Sequence, residues 1–269
     1  MVDIDRRALT EIAQQEAARP GPVTVLVAPQ LGENIGSAAR AMWNFGLTRL
    51  RIVAPRDGWP NPDAVATASG AGRVLDDARL FPDTDAAIAD LSAVYATTAR
   101  PRELTKRVLT PQAAMREAAA RVAAGERVGV LYGRERTGLE NADIVKADAI
   151  VTVPVNPAFG SLNLAQCVLL MAYEWRRQYD ETPGEVLATG RASPATADEV
   201  GRMVAHLVEE LDRVGFFWPA HKRMSMLANL ENLFRRAPLT DQDVRTMRGV
   251  IRALSEGPKP RLEGQRLAD

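Results

Sequence analysis

The sequence predicts an α/β protein with a mostly parallel sheet, followed by a small helical domain. Short apolar runs such as VTVLVA (23–28) and VGVLY (128–132) alternate with helix-length segments over the first 180 residues. Continuous apolar runs of this length are typical of strands buried on both faces, and parallel strands need crossover helices between them. After residue 197 the strand pattern disappears, and three helix-forming segments follow.

Length and composition indicate an ordinary soluble globular protein. Of its 269 residues, 46% are hydrophobic and 25% are charged, and the formal net charge is zero. Nucleic-acid binding would therefore have to come from local basic patches. Cys167 is the only cysteine and only two histidines are present, which favours a packing role for the thiol and predicts no metal site. The charged N-terminus and the short apolar runs predict a cytoplasmic protein without signal peptide or membrane anchor.

The predicted elements of the α/β part follow one another closely. Residues 1–22 form an N-terminal extension, interpreted as a short polar helix or a frayed tail. Five or six strands are predicted, at 23–28, 49–54, 78–81, 93–97, 128–132 and 151–155. The helices between them are predicted at 35–45 with Asn34 as a possible N-cap, 61–72, 84–91, 111–124 and 142–146, and after a loop with Ser161 as N-cap.

The α/β domain is followed in the chain by a linker and a helical domain. The α/β domain is predicted to span 23–178, and residues 179–197 are interpreted as a linker because they lose the apolar period and gain Pro, Gly, Thr and Ser. The domain at 198–269 is predicted to hold helices at 198–214, 220–235 and 240–254, with Thr240 capping the last.

Basic residues cluster in this helical domain. Between residues 215 and 266 ten lysines and arginines face five acidic residues, a local net charge of +5. This excess predicts an RNA-binding surface. Phe216, Phe217 and Trp218 lie beside it and are interpreted as part of the domain core. The basic residues are Lys222, Arg223, Arg235, Arg236, Arg245, Arg248, Arg252, Lys259, Arg261 and Arg266.

Three polar loops follow predicted strands: NIGSAAR (34–40), GRERTGLEN (133–141) and NPAFGSLNLA (156–165). Because the carboxyl ends of parallel strands share one sheet edge, loops of this kind meet at one place. Each loop alone says little. Ser161 could merely cap a helix, Gly133 and Gly160 could merely shape turns, and Arg40 could be a solvated helix residue.

Together, in this order and spacing, the loops resemble the three signature motifs of the SPOUT methyltransferases, specifically the TrmH-like family of RNA 2'-O-ribose methyltransferases. TTAR (97–100) and AYEWR (172–176) extend the resemblance, as do LFRRA and RGVIRAL in the tail, so that it covers residues 23–255. It points further to the group that methylates the ribose of cytidine or uridine at position 32 in the tRNA anticodon loop. The resemblance implies a deep trefoil knot, S-adenosylmethionine bound by the knot loops, a homodimer, and tRNA as partner.

The resemblance also implies roles for individual residues. Arg40 matches the arginine of the first motif, which the resemblance implies takes or polarises the proton of the ribose hydroxyl. Because a guanidinium is not expected to give up its own proton in a protein, we prefer a role in which Arg40 holds the adjacent phosphate and stabilises oxyanion charge. Ser161 and Asn163 are expected to position the ribose. The cofactor is expected to contact Thr97, Thr98, Ala99, Gly133, Val153, Gly160, Ser161 and Leu162.

Asn34, Glu135 and Arg100 are expected to shape the site. An alternative for Glu135 is an ion pair with Arg134 or Arg136 at the dimer seam. Phosphate contact is predicted for the basic residues near the cofactor loop, which are Arg100, Arg102, Lys106 and Arg107. Two other functions stay open, namely 2'-O-methylation of ribosomal RNA and a non-catalytic RNA-binding dimer of the same fold.

Overall fold

The computed structural model describes residues 6–99, 105–185 and 190–256. The chain divides into two compact units, Met1–Thr182 and Pro183–Asp269. No helix within the described ranges is long and apolar enough to cross a membrane.

The first unit alternates strands and helices. Its elements, in chain order, are α1 (Arg6–Ala18), β1 (Val23–Val27), α2 (Gly32–Asn44), β2 (Leu50–Val53), α3 (Pro62–Ala68), α4 (Gly72–Asp76), β3 (Arg79–Phe81), α5 (Thr84–Ile88), β4 (Ala93–Thr97), β5 (Arg107–Leu109), α6 (Pro111–Ala123), β6 (Val128–Tyr132), α7 (Asn141–Val145), β7 (Ala149–Val151) and α8 (Leu164–Arg176).

These strands form one seven-stranded sheet in the order β3-β2-β1-β6-β4-β7-β5. Every strand pair in it is parallel. The five strands between the edge strands β3 and β5 are buried along their whole length, as expected for parallel strands covered on both faces. The predicted α/β class with a helical C-terminal part is confirmed, while the trefoil knot stays a prediction.

The two faces of the sheet are covered unequally. One face packs against α2, α3, α4, α6 and α8 and carries the larger core, which includes Met42, Tyr95 and Met171. The other face is covered by the short helices α5 and α7, with Ala87 and Ile144 against the sheet.

Two differences from the predicted elements concern strands. The strand predicted to run through residue 155 ends at Val151, so that Val153 and Val155 belong to the following loop. The strand β5 was not predicted, because three mostly exposed residues at a sheet edge carry no apolar period.

The described part of the second unit contains helices α9 (Ala197–Arg213), α10 (Arg223–Arg235) and α11 (Asp241–Glu256), with a 3-10 turn at Ala220–Lys222. Its core contains Met203, Val204, Val244 and Ile251. Thr240 caps α11 as predicted, since the amide of Asp243 donates a hydrogen bond to its Oγ1 over 3.2 Å.

Candidate active site

A cavity of about 350 Å³ lies at the carboxyl ends of β4, β6 and β7. We call it the carboxyl-edge cavity. Eight of its lining residues are those that the sequence assigned to the cofactor, from three separate segments of the chain: Thr97, Thr98, Ala99, Gly133, Val153, Gly160, Ser161 and Leu162. Strand order explains the convergence, because β6, β4 and β7 are consecutive neighbours in the sheet.

The two predicted glycines of the cavity, Gly133 and Gly160, differ in how much space surrounds them. A Cβ on Gly133 would lie 2.1 Å from the backbone carbon of Gly138, so this glycine is required by the fold of its own loop. A Cβ on Gly160 would meet nothing nearer than Cγ2 of Val155 at 3.8 Å. The protein itself therefore does not require glycine at 160, and the missing side chain leaves that part of the wall open to a ligand.

The cavity is mixed in chemistry. Val153, Val155 and Leu162 supply apolar wall, and Arg134 and Glu135 supply charge. Sequence reasoning did not anticipate Arg134 or Thr137 as lining residues, although both lie in the loop motif 133–141 that it singled out.

Cys167 lines the same cavity from α8. Burial raises the pKa of its thiol to about 11, so the thiol stays protonated at neutral pH and is a poor nucleophile. Burial also raises the pKa of the neighbouring Tyr132 phenol. Both residues are therefore neutral parts of the wall.

A chain of side-chain hydrogen bonds ties the three loops together. Glu135 accepts hydrogen bonds from the backbone amides of Gln30 (2.8 Å) and Leu31 (3.1 Å). It also accepts one from Nδ2 of Asn34 at 3.0 Å. Oδ1 of Asn34 in turn accepts a hydrogen bond from Nδ2 of Asn163 at 2.8 Å. We call this chain the Glu135–Asn34–Asn163 relay.

The relay begins at the amino-terminal end of α2. Leu31, which precedes the helix, makes no side-chain capping bond. The carboxylate of Glu135 accepts the hydrogen bonds of the backbone amides there instead. A carboxylate in this position also interacts favourably with the helix dipole. Asn34 was predicted as a possible N-cap, but it lies inside the first turn of α2 and faces Glu135.

The relay ends at the start of α8. Asn163 caps this helix, because its Oδ1 accepts hydrogen bonds from the amides of Ala165 (2.8 Å) and Gln166 (3.4 Å). Ser161 was predicted as the cap, and this was wrong, since the chain turns into the helix two residues later. The hydroxyl of Ser161 is instead exposed on the cavity wall.

Arg134 does not pair with Glu135. Its Nη1 lies 2.8 Å from Oε1 of Glu140, in a contact that is an ion pair without a well-aligned hydrogen bond. The alternative reading of Glu135, an ion pair with Arg134, is therefore not seen, and the carboxylate of Glu135 contacts the start of α2 instead.

Arg40 is not among the residues that line the cavity. It lies on an exposed part of α2, six residues after Asn34, and therefore on a different face of the helix.

Of the basic residues predicted to contact phosphate near the cavity, Arg107 pairs with Glu117 at 2.6 Å. Lys106 donates to the carbonyl oxygens of Val145, at 2.8 Å, and Ala147. Arg100 and Arg102 lie outside the described residues.

The second unit presents aromatic and basic side chains on its own surface. Phe217 is buried, as the sequence suggested, but Trp218 is 80% exposed and Phe216 is 52% exposed. Some of the predicted basic residues are paired, as Arg223 is with Asp212 and Arg245 is with Asp241. Four others in the described segment are not in an ion pair there, namely Lys222, Arg235, Arg236 and Arg248. Lys259, Arg261 and Arg266 lie outside it.

The chain matches two family models. Residues 22–173 match the SpoU rRNA Methylase family. The chain belongs to the SpoU methylase family. Residues 198–264 match the C-terminal domain of the tRNA methyltransferase TrmJ, so the helical part of this SpoU methylase has relatives of its own.

Relatives of known name cover most of the chain. The tRNA (cytidine/uridine/adenosine-2'-O-)-methyltransferase TrmJ of Pseudomonas aeruginosa is 34% identical, over 84% of this chain and 91% of the relative. The tRNA (cytidine/uridine-2'-O-)-methyltransferase TrmJ of Escherichia coli is 35% identical, over 87% and 95%. The crystal structure of TrmJ from Z. mobilis ZM4 is 47% identical and has a TM-score of 0.75, over 88% of this chain and all of that one. This SpoU methylase is therefore of the TrmJ type.

Among the described residues, no group of three or more histidine, cysteine, aspartate or glutamate side chains is placed to hold a metal ion.

Proposed function

We propose that this protein is an S-adenosylmethionine-dependent tRNA 2'-O-methyltransferase that acts on cytidine or uridine at position 32 of the anticodon loop. One observation carries the proposal. All eight residues that the motifs assign to the cofactor line a single cavity at the carboxyl edge of the sheet, in a chain whose relatives are tRNA 2'-O-methyltransferases.

The carboxyl-edge cavity fits S-adenosylmethionine. Its volume of about 350 Å³ lies within the range of small-molecule sites. Val153 and Leu162 offer apolar surface to an adenine ring, and the backbone beside Gly160 can approach a ligand closely because no side chain intervenes. The bound cofactor supplies an electrophilic methyl group, which leaves the protein to orient the ribose hydroxyl and manage its proton.

Ser161 and Asn163 divide the task of positioning. The hydroxyl of Ser161 is exposed on the cavity wall and can accept or donate a hydrogen bond to the ribose. Asn163 uses its oxygen to cap α8 and one amide hydrogen to bind Asn34, so one amide hydrogen remains for the substrate. Glu135 already accepts three hydrogen bonds, which makes it a positioning residue and not the base that takes the proton.

Arg40 acts in this proposal from a partner subunit. It is exposed and does not line the carboxyl-edge cavity of its own chain. A homodimer that packs the exposed side of α2 near the neighbouring cavity would bring the guanidinium to the substrate. There it would bind the phosphate beside the reacting ribose and stabilise developing negative charge. The proton of the ribose hydroxyl would pass to that phosphate or to water as the methyl group is transferred.

The second unit supplies recognition of tRNA. Trp218 presents an exposed ring on which a base can stack. Phosphates can be bound by four basic residues that have no ion pair within the described segment, namely Lys222, Arg235, Arg236 and Arg248.

A chemical assay tests the function. Purified protein is incubated with the cofactor and unmodified tRNA transcript, and the RNA is then hydrolysed in alkali. A methylated ribose resists alkaline cleavage, so the expected product is an alkali-stable dinucleotide at position 32. A transcript with a 2'-deoxy nucleotide at that position is the control and should accept no methyl group there. Absence of product with every tRNA, or product only with ribosomal RNA, would contradict the proposal.

A further inference from the structure

A second cavity lies at the opposite, amino-terminal edge of the same sheet. Its volume is about 430 Å³, and we call it the amino-edge cavity. It is lined by residues at or just before the starts of β1, β2, β3 and β6, together with Asp90, which follows α5: Val23, Thr48, Arg49, Leu50, Arg51, Asp77, Arg79, Asp90 and Arg127. A strand of five residues spans about 15 Å, so one small ligand cannot occupy both cavities.

Positive charge dominates the amino-edge cavity. Four arginines and two aspartates line it, a formal net charge of +2. The only ion pairs among them in the described part of the chain centre on Asp90. Its carboxylate binds Arg51 through two hydrogen bonds, at 2.5 and 2.8 Å, and Arg127 through one at 3.0 Å. One carboxylate thus serves two guanidiniums.

Arg49 and Arg79 are left without such partners. Both are exposed, and neither has a hydrogen bond or ion pair to its guanidinium among the described residues. Arg79 is the direct neighbour of Arg51 across the β2–β3 pair, and like charges at directly opposite positions destabilise a sheet. Arg49 lies two residues before Arg51, on the same side of the extended chain.

An anion between these guanidiniums would remove the repulsion. The planar guanidinium matches phosphate oxygens with two parallel hydrogen bonds, which makes phosphate the anion that clustered arginines bind best. The cavity, at about 430 Å³, has the volume of a small-molecule site.

We propose that the amino-edge cavity binds a phosphate group through Arg49 and Arg79, with Arg51 held in place by Asp90 and the carbonyl of Ala87. The Ala87 oxygen accepts a hydrogen bond from Arg51 at 2.6 Å. The phosphate belongs either to the backbone of RNA or to a small phosphate ester. The site does not depend on the function proposed above, since methyl transfer takes place at the other edge of the sheet.

Binding measurements on the full-length protein test the site without any methyl transfer. Pyrophosphate is titrated calorimetrically into the wild-type protein and into Arg49→Gln, Arg79→Gln and Arg116→Gln. Arg116 is an exposed arginine on α6 without an ion pair in the described chain, so its variant matches the charge change away from the cavity. In a second arm, binding of tRNA transcript is measured over a series of salt concentrations. Thermal melting checks that each variant is folded.

If the phosphate site exists, Arg49→Gln and Arg79→Gln each weaken pyrophosphate binding about tenfold, and Arg116→Gln does not. If RNA is the natural source, the same two variants also weaken tRNA binding and reduce the salt slope by about one. An effect on pyrophosphate alone identifies a small phosphate ester. The proposal is overturned if neither ligand responds to Arg49 and Arg79, or if Arg116→Gln has the same effect.

Discussion

The two edges of the sheet hold cavities of similar size, about 350 and 430 Å³. They differ in whether the polar side chains have hydrogen-bond partners. At the carboxyl edge, Glu135, Asn34 and Asn163 satisfy one another and leave the hydroxyl of Ser161 open to the cavity. At the amino edge, Arg49 and Arg79 are left without partners in the described structure. A pre-organised site therefore lies opposite a site with unbalanced charge.

This difference teaches that a cavity lined by charged residues can be visible in a structure without being visible in a sequence. The carboxyl-edge residues come from contiguous loops, each of which forms a motif. The amino-edge arginines come singly from the starts of different strands, and a single arginine before a strand indicates nothing by itself. Their grouping follows only from strand order and register.

The largest effect is expected for Arg40. Arg40→Ala should lower turnover by about 10² to 10³-fold, while cofactor binding measured calorimetrically stays unchanged, because Arg40 does not line the cavity of its own chain. If the carboxyl-edge site borrows Arg40 from a partner, subunits carrying Arg40→Ala mixed with subunits carrying Ser161→Ala should regain about a quarter of the wild-type rate, since each mixed dimer has one intact site.

No recovery in that mixture would show that Arg40 acts on its own chain or not at all. Mixing Arg40→Ala subunits with the double variant Arg40→Ala/Ser161→Ala is the control, since no arrangement of those subunits restores a site.

The relay should be worth more than an exposed ion pair. Glu135→Gln places an amide group against donors that now face a carboxylate, so the free energy of unfolding should fall by about 1–3 kcal/mol. Glu209→Gln, which breaks the exposed pair between Glu209 and Arg213, should cost less than about 1 kcal/mol. Urea denaturation measures both. Equal losses would mean that the carboxyl edge is no better ordered than the surface.

Comparing Asn163→Ala with a second capping variant separates the role of Asn163 in capping α8 from its role in turnover. Loss of the cap of α8 should lower the free energy of unfolding by about 1 kcal/mol, and turnover should fall more than tenfold because the relay ends at Asn163. Thr110 caps α6 by accepting the amide of Ala113 over 3.3 Å. Thr110→Ala should cost similar stability and leave turnover intact. If both variants lose turnover equally, capping alone explains the effect of Asn163.

The smallest effect is expected for the contribution of Asp90, at the amino edge, to stability at acid pH. Hydrogen bonds from Arg51 lower the pKa of Asp90 from 3.8 to about 2. A depressed carboxyl pKa stabilises the fold above pH 4, and this contribution is lost as the pH falls towards 2. The wild type should therefore exceed Asp90→Asn in stability at pH 5, by less than about 1 kcal/mol because the pair is partly exposed. The gap should narrow by pH 2.5, and a constant gap would contradict this.

Much of the fold could be predicted from the sequence because the interior strands are mostly apolar. The strands β4 and β6 have the predicted bounds, since short runs of mostly apolar residues stand out from the polar segments that flank them. The edge strand β5 could not be predicted, since its residues are largely exposed and its pairing with β7 joins segments about forty residues apart.

The family resemblance named eight residues that line the carboxyl-edge cavity, but Arg40 is not among the lining residues, and the hydrogen bonds between the loops were not predicted. The capping of α2 by Glu135, for example, joins residues about a hundred positions apart. Charged side chains were predicted least well. Lys106 and Arg107 were expected to contact phosphate, but neighbours brought close only by folding occupy them. Trp218 was interpreted as core and is exposed.

Transplanting any one of the three polar loops between relatives should be harmful unless the other two loops are exchanged with it. The side chains of residues 34, 135 and 163 are joined by hydrogen bonds. A chimera that exchanges only one loop would therefore place its side chain against partners from a different protein. The unit that can be exchanged, by an engineer or by recombination, is the whole set of loops, although its members are scattered over 130 positions of the chain.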